Sequence, residues 1–136
     1  MPDYPSSNPS QFIQGAPVLH VQDVQATVSY YRDVLGFTAD FGDDHYAVVW
    51  RDNSAIHFVK SLQNPTGVHL FQWIRKVDTY FKEILERGAK VTAEPIDRQY
   101  GVREFNTQDP NGVTIIFGQD IDEIVEPIKS SDAHGL

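Results

Sequence analysis

The sequence predicts an α+β fold: two tandem βαβββ units whose eight strands form a curved mixed sheet with the helices outside. Three observations carry this. The order strand, helix, three strands is written twice along the 136 residues. Local wording repeats with it: YYRDVLGF (30–37) is echoed by YFKEILERG (80–88), and RDNSAIHF (51–58) by QDPNGVTIIF (108–117). Turn chemistry, in GDD, RDNS and DPNG, separates the strand-like runs.

Each element has its own signal. Residues 1–14 are rich in Pro, Ser, Asn and Gln and predict a loose arm. One domain follows over 15–136, with a first unit at 15–61, a second at 67–119 and a tail at 120–136. APVLHV is extended. Asp23 then offers an N-cap, and Val24, Val28, Tyr31 and Leu35 fall at helical spacing. Gly36 supplies the left-handed residue that ends the helix. FTADF, HYAVVW and SAIHFVK complete the first unit. In the second, GVHLFQWI is a strand and VDTYFKEILERG a helix with Val77, Phe81, Ile84 and Leu85 inward. AKVTAEP, GVREFNTQ and GVTIIFG are the last strands. The tail predicts a short amphipathic helix through Ile121, Ile124 and Val125.

Composition narrows the function. Hydrophobic residues make up 40% and charged residues 22%, as in a globular domain. The absence of cysteine excludes disulfides, thiolate catalysis and Cys-based metal sites. A net charge of −8 argues against nucleic acid, whose binding rests on Lys and Arg. It suits a cationic small molecule, although an acidic surface also simply aids solubility. No apolar run is long enough to cross a bilayer, and the N-terminus lacks a secretory pattern. The expected location is therefore cytoplasmic, with no membrane partner.

Alternation places His69, Phe71 and Trp73 on one face of the GVHLFQWI strand. That face suits a metal site, a platform for a planar ring, or ordinary core.

The segments PVLHVQDVQATVSYYRDVLGF and REFNTQDPNGVTIIFG resemble the vicinal oxygen chelate superfamily, which includes glyoxalases, extradiol dioxygenases and bleomycin-resistance proteins. The likeness covers residues 16–120. ADFGDDHYAVVWRD and RQYGVREFNTQDPNG make it strongest toward the bleomycin-resistance proteins. That resemblance implies the glyoxalase/bleomycin-resistance fold and a role in antibiotic resistance by binding. It implies a homodimer that sequesters a planar, cationic drug at its interface without turning it over. It also implies exchange of the first strand around Pro17.

Metal-dependent members of the superfamily place ligands at four equivalent points. The resemblance carries these to Ala16, His57, His69 and Ile116. Two are aliphatic, and a catalytic centre needs about three protein ligands. The expectation is no metal cofactor. The alternative is a divalent-metal lyase, isomerase or dioxygenase with His57, His69 and an inward-facing His20 as ligands. Beside either stands the plainer role of histidines hydrogen-bonded within a groove.

The resemblance places Tyr46, Phe71 and Tyr100 around the ligand and makes Asp40 an acidic groove residue. Trp73 shares the face of Phe71, and Trp50 that of Tyr46. Such rings stack on planar groups and attract cations, or pack as core or dimer interface. Asp43, Asp44 and His45 read as solvated, and Arg103 and Glu104 as structural partners near the groove. The expected ligand site is therefore Asp40, Tyr46, His57, His69, Phe71, Trp73 and Tyr100, with no catalytic residue.

Overall fold

The computed structural model describes residues 11–124. The first unit consists of β1 (Val18–Val21), α1 (Val24–Asp33), β2 (Thr38–Gly42), β3 (Tyr46–Arg51) and β4 (Ser54–Lys60). The second consists of β5 (His69–Trp73), α2 (Val77–Glu86), β6 (Lys90–Asp97), β7 (Val102–Gln108) and β8 (Thr114–Asp120). A single turn, α3 (Ile121–Ile124), follows. Val125 and most of the predicted arm lie outside the described residues.

The α+β pair of βαβββ units is present as the sequence predicts. Strand pairing, however, stays within each half. The sheets run β1-β4-β3-β2 and β5-β8-β7-β6, each with one parallel pair and two antiparallel pairs. The helices do not sit outside a joint eight-stranded sheet. Their apolar faces meet where the two halves pack, and one core takes Tyr31, Leu35 and Phe58 from the first half with Tyr80, Ile84 and Phe117 from the second. Turning the helices inward buries both apolar helix faces at once and leaves the far face of each sheet looking away from the core.

Polar bonds lock the halves together. The Tyr31 hydroxyl donates to the Asp109 carboxylate at 2.7 Å, and the Tyr80 hydroxyl donates to the Leu35 carbonyl at 2.7 Å. The other Asp109 oxygen accepts from the Asn111 and Val113 amides, so the DPNG turn caps itself while gripping α1. Asn111 adds a bond to Thr27 at 2.8 Å.

The helix starts differ. Asp23 accepts from the Ala26 amide at 2.9 Å, a cap worth about 1 kcal/mol. The equivalent residue before α2 is Lys76, in a left-handed conformation with no side-chain cap. Gln119 substitutes for it from β8, accepting the buried Val77 amide at 2.9 Å. At the other end of α1, Gly36 has φ 79°, the conformation required of it.

On α2 the expected inward face is displaced. Val77, Tyr80 and Ile84 are buried and Phe81 packs against the core, but Leu85 is 48% exposed. Tyr80 takes the inward place because its ring packs on Phe117 and its hydroxyl finds the Leu35 carbonyl.

Candidate functional site

Strand parity decides which side chains leave the core. On β3 and β4, Ala47, Val49, Ile56 and Phe58 point inward, so Tyr46, Val48, Trp50 and His57 share the outer face. On the second sheet, Leu70, Phe105, Ile115 and Phe117 point inward. His69, Phe71, Trp73, Glu104, Asn106, Ile116 and Gly118 share the outer face there. The seven expected site residues therefore fall into two sets. Asp40, Tyr46 and His57 belong to the first sheet; His69, Phe71, Trp73 and Tyr100 belong to the second.

Asp40 and His57 of the first set border a cavity of about 500 Å³, lined also by Gln14, Phe41, Val48, Trp50, Asp52 and Ala55. Asp40 reaches it from a bulge: the β2–β3 register steps from Ala39↔Val49 to Phe41↔Val48 and leaves Asp40 unpaired. The Tyr46 hydroxyl lies 2.6 Å from His57 Nδ1, with the two rings edge-on. The hydroxyl donates when the ring carries its proton on Nε2, and Nδ1–H donates when the proton is on Nδ1. Asp43 fixes the start of β3 by accepting from the His45 and Tyr46 amides at 2.8 and 3.0 Å. Those amides hold its carboxyl below the usual value, and its part is to shape the turn that presents Tyr46. His45 is exposed, as expected.

The second set is an aromatic shelf. The Phe71 and Trp73 rings are 4.8 Å apart and tilted by 56°. Phe71 lies across β8 at Gly118, where an added Cβ would stand 2.6 Å from its Cζ. Tyr100 sits on the exposed turn between β6 and β7. Desolvation, and then the neighbouring Glu104 carboxylate, raise its hydroxyl pKa. His69 is exposed at the edge of the shelf. Gly118, Gln14, Asp52 and Phe41 were absent from the sequence reading. A glycine inside a strand is a recognised sign of close approach and was the one available signal for Gly118.

Strand register relates the two faces. Val18 pairs with His57 and Phe71 with Ile116, across the corresponding parallel ladders. His57 is thus equivalent to Ile116, and, two residues before Val18 and Phe71, Ala16 is equivalent to His69. Likewise Tyr46 is equivalent to Glu104, and Val48 to Asn106.

These residues do not fit a metal. Ala16 and Ile116 offer no donor. His57 Nδ1 is taken by Tyr46. His20 is exposed on the face of Val18, beside Val59 and not beside His69. Among the described residues, no three His, Asp or Glu side chains are grouped to hold an ion. No helix there is long and apolar enough to cross a membrane.

Known proteins share this fold. The bleomycin-binding protein of Streptomyces verticillus, solved with copper(II)-bleomycin, superposes with TM-score 0.69 at 27% identity, over 79% of this chain and 95% of that one. A glyoxalase/bleomycin resistance protein/dioxygenase from Nocardioides gives TM-score 0.67 at 17% identity, over 79% and 82%. TioX from Micromonospora sp. ML1 gives 0.69 at 18%, over 79% and 98%. No curated protein matches. The model of one family matches residues 14–117, and on that match the chain belongs to the Glyoxalase/Bleomycin resistance protein/Dioxygenase superfamily.

Proposed function

We propose that this chain is a metal-independent small-molecule-binding protein of the bleomycin-resistance type. It holds a planar ligand, preferably cationic, in a groove at a homodimer interface. The observation that carries this is the pairing of a Phe71–Trp73 shelf with emptied ligand points at Ala16 and Ile116. Flat rings supply stacking and cation attraction where metal chemistry would otherwise sit. The 27% identity to a bleomycin-binding protein supports the ligand class.

Two half-grooves facing away from one core also support a dimer. Phe41, Trp50, Phe71 and Ile96 are each more than 40% exposed on those outer faces, more than a lone domain gains from exposing. A second copy laid with its second sheet against this first sheet would join Asp40, Tyr46 and His57 to Phe71, Trp73 and Tyr100. Such a partner can also exchange β1, since the Pro17 carbonyl accepts the His57 amide and the same bond can form between copies. Binding protects a cell by mass action when protein exceeds drug, so no catalysis is required. The chain would act in the cytoplasm.

The test is a titration with bleomycin and with smaller planar cations, read by Trp50 and Trp73 fluorescence. Saturable quenching by bleomycin supports the proposal. A flat response to every compound at high concentration overturns it.

A further inference from the structure

The second outer face carries a polar feature that stacking leaves unused. Glu104 is only 6% exposed, yet among the described residues its Oε1 has no hydrogen-bond partner. Its Oε2 meets Arg98 Nε at 3.4 Å, a long contact for an ion pair, and that buried Nε makes no hydrogen bond either. Two residues along the same face, the buried Oδ1 of Asn106 also lacks a partner. Buried acceptors are nearly always satisfied, so two adjacent open ones ask for a donor.

The relation between the halves explains why they stand open. In the first sheet, Tyr46 is satisfied by His57. Glu104 occupies the Tyr46 position of the second sheet, but Ile116 occupies the His57 position and offers nothing. Val48, which needs no partner, is replaced by Asn106. The second face thus holds acceptors with no donor at the position that serves Tyr46 in the first.

The shelf lies beside them. Glu104 pairs with Gly118, and Gly118 with Trp73, and the Phe71 ring fills the space over Gly118 between them. Strands are about 4.8 Å apart, so a ring stacked on Phe71 and Trp73 ends within reach of Glu104. Tyr100, on the turn above, is 66% exposed.

We propose that Glu104 and Asn106 form a subsite for an amidine- or guanidine-type group: a planar cation whose two N–H donors meet Glu104 Oε1 and Asn106 Oδ1 while its attached ring stacks on Phe71 and Trp73. This rests on the binding-protein reading and names the chemistry of the ligand's charged end. Arg98 is the resident guanidinium nearest this carboxylate, so the ligand group shares Glu104 with it.

The probe is benzamidine, with benzoate as the same ring of opposite charge. Binding is read by calorimetry and tryptophan fluorescence on the unsubstituted protein. Benzamidine is expected to bind and quench saturably, and benzoate not at all. Glu104→Gln is expected to weaken benzamidine at least tenfold. Asn106→Leu, at a half-buried position, is expected to weaken it several-fold and keeps the test open if the Glu104 variant does not fold. Bleomycin is titrated in parallel on the same proteins. Bleomycin binding with benzamidine absent, or indifferent to both substitutions, overturns the subsite and leaves the binding-protein reading standing. Benzamidine binding that needs Glu104, without bleomycin binding, upholds the subsite and removes that drug as ligand. Failure of both compounds overturns both.

Discussion

Replacing Gly118 by alanine should disturb the aromatic shelf and little else. The new Cβ would stand 2.6 Å from Phe71 Cζ and 3.0 Å from Val102 Cγ1. Carbon contacts settle near 3.5–4.0 Å, so the ring must retreat by about 1 Å. Phe71 is 41% exposed and has room to move outward. Overpacking costs about 1–3 kcal/mol. Alanine recovers about 0.5–1 kcal/mol over glycine within a strand. The expected net loss is about 1 kcal/mol, measured by guanidinium unfolding. The loss should depend on the ring. With Phe71→Ala already in place, Gly118→Ala should become neutral or slightly stabilising, a coupling of about 1–2 kcal/mol. Bleomycin affinity should fall about tenfold in the single variant, as 1.4 kcal/mol of stacking would give. An equal cost with and without Phe71 would refute the reasoning, because the strain would then lie elsewhere.

Three further outcomes follow from the geometry. Tyr31→Phe leaves a buried Asp109 oxygen without its donor and should cost about 2 kcal/mol by the same unfolding assay. Burial first, then Asp109, push the Tyr31 hydroxyl well above the usual tyrosine value, and burial does the same to Tyr80. The unfolded chain therefore ionises first, and stability is full below about pH 10 and lost as pH rises above it; Tyr31→Phe should make that loss shallower, and an unchanged slope would count against the assignment. Tyr46→Phe removes the partner of His57 Nδ1 and should shift the His57 tautomer balance read by ¹⁵N NMR; an unchanged balance contradicts the Tyr46–His57 bond. Ala16→His with Ile116→Glu should give a chain that takes up zinc or manganese on elemental analysis while the parent takes none, and a variant that stays metal-free contradicts the equivalence drawn from strand register.

The fold was legible because it is repeated. Asp23, Gly36 and the α1 face of Val24, Val28, Tyr31 and Leu35 stand where their spacing put them. On α2, Val77, Phe81 and Ile84 stand inward as predicted, and Leu85 does not, for a specific reason. The likeness of YYRDVLGF to YFKEILERG sets the helices 50 residues apart and equates Leu35 with Leu85. The strands set the units 53 apart, Val18 with Phe71 and Val24 with Val77. The difference is nearly one helical turn, so the inward face shifts along the helix to Tyr80. The packing of helices between the sheets was not legible either, because the same apolar stripe serves whether a helix covers one sheet or joins two halves. At the site, residue types were readable but their company was not. Nothing local shows that Asp40 lies on a bulge, that Tyr46 spends its hydroxyl on His57, or that Glu104 is buried with one oxygen open. Those facts arise from pairing between strands distant in sequence.

The central claim is binding without metal. Its most direct test is calorimetric titration of metal-free bleomycin into protein dialysed against chelator, with the metal content of the same sample measured. The account predicts saturable binding by a metal-free protein, unchanged when zinc, manganese, iron or nickel is restored. One ion per subunit held by the protein before bleomycin is added, and required for binding, would contradict it.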